Sequence, residues 1–236
     1  MSEEQVALQV FPVHGLPEIV PGADLAGMIA EAFPLRDADV IVVTQKIVSK
    51  AENRFVAVDH DDPVAKRRLA ESEAVRVLRR RGEMVITETR HGFICANSGV
   101  DLSNVEEGFA LLLPIDPDRS ARRIRDGLRA RAGVEVGVII SDTFGRVWRK
   151  GLTDVAIGTA GIAAVVDLRG QVDSMGRELM VTEVCVADEI AGAADLVMGK
   201  AYGVPVAVVR GVEPAWLRES SVHDEIVRSP EEDLFR

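Results

Sequence analysis

Short apolar runs separated by helix-like segments are the feature that most limits what this chain can fold into. The apolar runs, rich in valine and isoleucine, lie at residues 40–44, 85–87, 136–140, 163–167 and 204–209. Each is bounded by polar residues or glycine, which is typical of buried β-strands. Helical patterns lie between them, at residues 25–33, 62–81, 116–131 and 182–198. Strands alternating with helices predict a mixed α/β or α+β fold.

Capping residues define the ends of the predicted helices. The starts are Asp24, Asp62-Pro63, Asp116-Pro117 and Thr182, and the stops are Gly82, Gly133 and Gly199. The basic run Lys66–Arg81 then falls on the second helix, and we interpret it as a solvated face. Residues 88–115 and 141–182 are rich in turn formers, so we expect loops there, where binding sites concentrate. No composition shift marks a boundary, and residues 1–236 are interpreted as one domain, with two subdomains as an alternative.

Charge and hydropathy exclude several classes of protein. The net charge is −10 and aromatic residues make up 4% of the chain, both unfavourable for nucleic-acid binding. Apolar stretches all fall short of the roughly 18 residues of a membrane span. The acidic start, Met1–Gln5, lacks the order of a signal peptide, so we expect a cytoplasmic protein.

Cysteine, histidine and glycine patterns exclude several kinds of site. Cys95 and Cys185 are far apart without metal-ligand spacing, so we expect buried, reduced thiols. The four histidines are scattered and do not predict a zinc site. The sequence contains neither a Walker P-loop nor a Gly-x-Gly-x-x-Gly fingerprint, so a bound nucleotide would have to be held in another way.

Three segments place polar or charged side chains directly after apolar runs or in turn-rich stretches. Residues 44–50 place Gln45, Lys46 and Lys50 after a strand, where they could bind phosphates; an exposed lysine pair is the alternative. Asp101, in the turn-rich segment 91–104, is a candidate Mg²⁺ ligand or the centre of an Asx-turn. Ser141-Asp142-Thr143 ends another strand and fits either a metal–phosphate ligand pair or a turn.

Two further segments carry charge or flexibility. Arg146, Arg149 and Lys150 surround Trp148, a cluster suited to phosphate or carboxylate; an Arg–Trp stack with Asp154 is the alternative. Residues 198–205 contain glycines that permit close approach to a ligand, although a helix end would also explain them. Together the segments indicate metal-assisted phosphoryl chemistry as a class.

Five motifs in order carry a family resemblance: residues 15–18 (GLPE), 45–52 (QKIVSKAE), 97–104 (NSGVDLSN), 141–146 (SDTFGR) and 197–200 (VMGK). With them the chain resembles the coenzyme F420-0:L-glutamate ligases, the gamma-glutamyl ligases of F420 biosynthesis, from about Val10 onward. The resemblance implies a mixed α/β, gamma-glutamyl ligase-like fold and an intertwined homodimer. It leaves open whether a flavin-binding domain follows in the native protein.

The resemblance also implies ligands for particular residues. GTP would contact Leu16, Pro17, Glu18, Ile19, Gln45, Lys50, Asn104, Met198, Gly199 and Lys200. Asp101 and Asp142 would bind Mg²⁺ or Mn²⁺, and Thr143 would help to bind a second ion; K⁺ is a further candidate. Lys200 departs from the family pattern. Some relatives have an acidic or amide residue at this position, whereas a charged lysine cannot ligate a metal. We assign catalytic roles to Asp142, Arg146 and Arg149.

The implied reaction is GTP-dependent addition of L-glutamate to coenzyme F420-0, or its dehydro precursor, through an acyl phosphate. A non-catalytic module that binds a nucleotide or F420 is an alternative, and a metal-dependent phosphohydrolase is another. The number of glutamates added is not predicted.

Overall fold

A five-stranded mixed sheet forms the centre of the fold. The computed structural model describes residues 7–59 and 61–233. The strands are β1 Gln9–Pro12, β2 Val40–Thr44, β3 Phe55–Ala57, β4 Ala74–Arg81, β5 Met84–Thr89, β6 Ile94–Ala96, β7 Phe109–Leu111, β8 Gly137–Arg146, β9 Arg149–Ala160, β10 Val166–Asp167, β11 Glu183–Val184 and β12 Val206–Arg210. The helices are α1 Leu25–Ala32, α2 Gln45–Ala51, α3 Ala65–Glu73, α4 Pro117–Ala132, α5 Val186–Met198 and α6 Val222–Glu225.

The central sheet has the strand order β1-β12-β2-β8-β9. Only β2 and β8 are parallel neighbours in it, and their register aligns Val40 with Gly137 and Thr44 with Ser141. The carboxyl end of β2 therefore lies beside Ser141, where β8 continues past it towards Arg146. Ligands of α/β proteins commonly bind at the carboxyl ends of strands.

Continuous apolar runs explain why the central strands are buried. Val40–Val43, Val138–Ile140 and Val206–Val209 are fully buried, as expected of strands covered on both faces. Helices α1 and α4 pack together, α4 also packs on β8 and β9, and α5 packs on β9, β1 and β12.

Smaller sheets flank the central one. Strands β4, β5 and β6 form one, and β3–β7 and β10–β11 form two antiparallel pairs. A second hydrophobic cluster lies under them, with Ala70, Val85, Val100, Ala110 and Leu112 buried together. The mixed α/β or α+β prediction is confirmed.

Two helices have the predicted ends. Asp24 caps α1 by accepting a hydrogen bond from the Gly27 amide at 3.1 Å. Asp116 caps α4 through the Arg119 amide at 2.9 Å, and Gly133 ends it in the left-handed conformation at φ 67°. Side-chain caps and a C-terminal glycine are local signals, which is why the sequence was sufficient here.

The long helix predicted over residues 62–81 is wrong in its second half. α3 ends at Glu73, and β4 follows at once and pairs with β5. Gly82 does not end a helix; at φ 59° it lies in the two-residue turn between Arg81 and Met84. The basic run is thus part helix and part strand, because pairing with β5 overrides local helix propensity.

The predicted loop over residues 141–182 is also wrong in its first half, since residues 141–160 belong to the long β8–β9 hairpin. The strand predicted at residues 163–167 is reduced to the two residues of β10, and α5 begins at Val186 instead of after Thr182. Met198 and Gly199 end α5 as predicted. Among the described residues, none of the helices combines the length and apolar character needed to cross a bilayer.

Both cysteines are free thiols, as predicted; Cys95 is buried and Cys185 is half-buried. Desolvation raises the pKa of each thiol to about 12, so neither is a nucleophile at neutral pH.

Candidate functional site

An open cleft of about 910 Å³ lies at the carboxyl end of β2, beside the stretch of β8 that extends beyond it. The predicted ligand-binding residues that line it are Leu16, Pro17, Glu18, Ile19, Gln45, Lys50, Asp101, Asn104, Asp142, Thr143, Met198, Gly199 and Lys200. Five segments far apart in sequence are thus brought to one surface. The expectation that Asp101 and Asp142 share a cleft is met.

Asp101 is both a turn former and a cleft residue. Its Oδ1 accepts hydrogen bonds from the amide and the hydroxyl of Ser103, each at 2.7 Å, which is an Asx-turn. Its Oδ2 forms an ion pair with Lys46 Nζ at 2.8 Å. Burial opposes ionisation, but Lys46 and Ser103 outweigh it and hold the pKa of Asp101 below its usual value. The carboxylate is therefore charged at neutral pH.

Asp142 lies in a different electrostatic environment. Its Oδ1 accepts a 2.8 Å hydrogen bond from the Thr143 amide, and within the described residues it forms no ion pair with a lysine or arginine. Desolvation, together with the negative charges of Asp154 and Asp101, raises the pKa of Asp142 to about 7. An anionic Asp142 would be stabilised by any cation that enters the cleft.

Asp154 on β9 is the buried acid of the site. It is 2% exposed, and its two carboxylate oxygens accept hydrogen bonds from Ser141 Oγ at 3.1 Å and Thr143 Oγ1 at 2.6 Å. Ser141 and Thr143 are two residues apart on β8, so their side chains lie on the same face of the sheet.

A β-bulge brings Asp154 to that face. Ile140 pairs with Gly158, but Ser141 pairs with Ala156, so β9 contains one extra residue, Ile157. If the first register continued without a break, Asp154 would lie opposite Phe144; with the bulge it lies opposite Thr143. Bulges commonly re-aim side chains beside functional sites.

Lys200 closes this part of the cleft. It follows α5 directly, and its Nζ lies 2.7 Å from Thr143 Oγ1, 2.6 Å from Asp154 Oδ1 and 2.7 Å from Asp195 Oδ1. Desolvation lowers the pKa of Lys200, but the hydrogen bonds with Asp154 and Asp195 more than offset this and raise it above the usual value. The side chain is a cation at every physiological pH.

Helix α2 supplies the opposite side of the cleft. It begins at Gln45, directly after β2, so that Gln45 and Lys50 reach the cleft from successive turns. Gln45 is buried and accepts a 2.9 Å hydrogen bond from Ser49 Oγ. Lys50 pairs with Glu18, which lies in the predicted Leu16–Ile19 turn.

Arg146 and Arg149 lie elsewhere. The two residues lie opposite each other in the strand register at the tip of the β8–β9 hairpin. Both are exposed, and neither is among the described residues that line the cleft. Arg146 donates a 3.0 Å hydrogen bond to the Lys150 carbonyl, and the Trp148 side chain between the two arginines is 92% exposed. None of residues 146–151 lines the cleft, whereas the next pair along the hairpin, Gly145 and Leu152, does.

Sequence reasoning missed the roles of Asp154 and Asp195, and it considered Lys46 as a phosphate ligand without its ion pair with Asp101. Asp154 was considered only as a partner for the Arg–Trp cluster. The sequence did contain one sign of a role for Asp154: it is a charged residue within β9. A charge in a buried strand needs a partner.

The oxygen ligands in the cleft favour a metal position at Asp101 and Asp142 over a second one at Thr143. No group of three or more His, Cys, Asp or Glu among the described residues is arranged to hold a metal. Mg²⁺, however, often uses only one or two carboxylates and takes its other ligands from water and phosphate. Asp142 lacks a cation and shares the cleft with Asp101, so this pair fits a metal. Thr143 stays a predicted ligand of a second ion, which would have to displace the hydrogen bond that its hydroxyl accepts from Lys200.

The fold and the cleft together define a class: an α/β protein with a cleft, beside two parallel strands, that is lined by both carboxylates and ammonium groups. The family model described as F420-0:Gamma-glutamyl ligase matches residues 15–211. The chain therefore belongs to the F420-0:gamma-glutamyl ligase family.

Curated relatives cover nearly the whole chain. Proteins named coenzyme F420:L-glutamate ligase are 42% identical in Methanopyrus kandleri over 246 aligned positions, covering 97% of this chain and 98% of the relative. The Archaeoglobus fulgidus protein of the same name is 43% identical, with coverages of 97% and 96%. That of Methanothermobacter thermautotrophicus is 40% identical, with coverages of 98% and 100%.

Proposed function

We propose that this protein is a ligase that joins L-glutamate to coenzyme F420-0 and converts GTP to GDP and phosphate. The observation that carries the proposal is its similarity, over 97% of the chain, to relatives named for glutamate ligation to F420. The cleft supports it, since the reaction brings several anions together and the cleft places lysines at both ends.

The nucleotide would bind along α2 and the segment after α5. Lys46 and Lys50 on one side and Lys200 on the other place ammonium groups around the cleft. Ammonium groups at these positions would offset the charge of a triphosphate. The Leu16–Ile19 segment and the residues that follow α5 would contact the rest of the nucleotide.

The chemistry needs two steps. The terminal carboxylate of F420-0 attacks the γ-phosphorus of GTP; an O–P bond forms, the bond to the bridging oxygen breaks, and GDP leaves. The amine of glutamate then attacks the acyl carbon, an amide bond forms, phosphate leaves and the amine loses a proton. Neither step requires an enzyme nucleophile, which agrees with two cysteines whose pKa values are raised.

Asp101 and Asp142 would hold the divalent metal. When bound, such an ion neutralises phosphate oxygens during transfer. Asp142 would position it from β8, and the Asx-turn at Ser103 fixes the orientation of Asp101 from the other side. The homodimer, a cytoplasmic location and a possible K⁺ requirement remain predictions.

Mass spectrometry of F420-0 incubated with the protein, GTP, Mn²⁺ and L-glutamate tests the proposal. We expect a product heavier by one glutamyl unit, with one GDP released for each unit added. Asp142→Asn should abolish turnover while circular dichroism stays unchanged; Glu107→Gln, at a residue outside the cleft lining, is the matched control.

Two results would contradict the proposal. GTP cleavage that is independent of glutamate and F420-0 would indicate a phosphohydrolase. Tight binding of F420-0 in calorimetry without GTP consumption would indicate a binding module. The same samples distinguish all three functions.

A further inference from the structure

The Lys200 ammonium is held by three oxygen atoms from three different elements. Thr143 on β8, Asp154 on β9 and Asp195 on α5 each contact Nζ, at 2.7, 2.6 and 2.7 Å. An ammonium group has three hydrogens to donate, so all its donors have partners. The lysine is anchored from three directions and is not a freely moving surface side chain.

The three oxygens are also a set that would suit a divalent ion. Two carboxylates and a hydroxyl are hard oxygen ligands of the kind that Mg²⁺ and Mn²⁺ bind. Asp154 is 2% exposed, and a carboxylate this deeply buried requires a positive partner. In this chain a covalently attached ammonium supplies that charge.

The neighbouring carboxylate provides a contrast in the same cleft. Asp142 precedes Thr143 directly, yet no ammonium of the described residues forms an ion pair with it. Asp154 therefore has its own ammonium partner and, within the described part of the chain, Asp142 does not, since the nearby Lys46 pairs with Asp101.

We propose that Lys200 acts as a built-in cation that takes the place of a second divalent metal, so that the cleft binds one metal ion, between Asp101 and Asp142. This inference rests on the proposed function for its nucleotide ligand. Lys200 would lie beside the phosphates whatever the metal concentration, and the response to added metal would follow a single-site curve.

Counting bound Mn²⁺ by electron paramagnetic resonance tests the inference without measuring turnover. In the presence of a non-hydrolysable GTP analogue, we expect one Mn²⁺ per chain for the wild type. Lys200→Ala frees Asp154, Asp195 and Thr143 and should bind two. Lys200→Arg, the matched control, keeps the positive charge and should bind one.

Thermal unfolding gives a second readout. Lys200→Ala leaves Asp154 unpaired, so added Mn²⁺ should raise its unfolding temperature by more than it raises that of the wild type. A wild-type count of zero or two overturns the inference even if Lys200→Ala fails to fold. A variant count that stays at one, with no extra stabilisation by Mn²⁺, also overturns it.

The proposed function is judged separately, by glutamylation of F420-0 in the same preparation. Glutamylation with two wild-type Mn²⁺ ions would contradict only the role of Lys200. One Mn²⁺ without glutamylation would contradict only the proposed function.

Discussion

Thr143 lies directly opposite Asp154 in the β8–β9 pair, and its hydroxyl donates a 2.6 Å hydrogen bond to the Asp154 carboxylate. Lys200 contacts both residues. The three side chains form one network, so the effects of changing them should not be additive.

A double-mutant cycle measures this coupling. Lys200→Ala should lower the free energy of unfolding by about 1–3 kcal/mol, less than for a fully buried pair because Lys200 is partly exposed. Adding Asp154→Asn removes the unpaired charge and should restore part of the loss. Urea unfolding of the four proteins gives the coupling energy; a value within about 0.5 kcal/mol of zero would contradict the network.

Asp142→Asn should stabilise the metal-free protein above pH 7. An unfolded aspartate ionises near pH 4, whereas the pKa of Asp142 in the folded chain is about 7. Between these values the folded state holds a proton that the unfolded state has released, so the contribution of Asp142 to stability falls as pH rises. Asparagine removes that dependence and should gain about 1–3 kcal/mol at pH 8.

The measurement is urea unfolding in the presence of EDTA at pH 5 and pH 8. The difference between variant and wild type should be clearly smaller at pH 5 than at pH 8. An equal difference at both values would show that the carboxyl group does not titrate in this range.

Lys46→Ala should strengthen metal binding in the absence of nucleotide. The Lys46 ammonium lies 2.8 Å from Asp101 Oδ2 and competes with a metal for that oxygen. A partly exposed ion pair is worth up to about 1 kcal/mol, so Mn²⁺ affinity should rise a few-fold. Affinity for the GTP analogue should fall. Lys66→Ala, on α3, is the control; calorimetry that shows both lysine variants to be alike would reject a role for Lys46.

Gly158→Ala should destabilise the fold strongly. A Cβ at Gly158 would lie 2.4 Å from the Pro117 carbonyl carbon and 2.5 Å from its oxygen, where α4 begins against β9. Overpacking of this kind costs about 1–3 kcal/mol or more. Gly145→Ala, on β8, has nothing within 4 Å of the added Cβ and should change stability little. Equal unfolding temperatures for the two variants would contradict the close α4–β9 packing.

The expected homodimer predicts a role for the hairpin tip. Val147 and Trp148 at the tip and Leu152 on β9 are 71%, 92% and 69% exposed, an apolar surface at this end of the hairpin. Trp148→Ser should therefore shift the sedimentation coefficient towards the monomer, whereas Leu196→Ser on α5 should not. A dimer that is equally stable in both variants would place the interface elsewhere.

Local patterns predicted the parts of the fold that local chemistry decides. The strand at residues 40–44 has continuous valine and isoleucine up to Val43, and α4 has both an aspartate cap and a glycine end. By contrast, Val75 and Val77 lie among arginines, and pairing with β5 decides that they belong to a strand. Such pairing depends on residues distant from the pattern.

The residues of the site also divide into those that local motifs predict and those that depend on distant parts of the chain. Asp101 and Asp142 were found from motifs in their own segments, and the cleft contains both. The contact of Asp154 with Thr143 depends on how β8 and β9 align across a bulge, and no short motif encodes that alignment. The position of Lys200 depends on where α5 ends relative to the sheet.

The bulge at Ile157 has a consequence for protein engineering. Inward-facing and outward-facing positions alternate along β9, and this alternation is reversed on the two sides of Ile157. The residues before and after it nevertheless belong to one continuous strand. A designer who transplants Ser141, Thr143 and Asp154 onto an unbroken hairpin would direct the aspartate to the wrong side. The transplant would need to include the extra residue of the bulge, Ile157, which is 1% exposed and has no polar atom in its side chain.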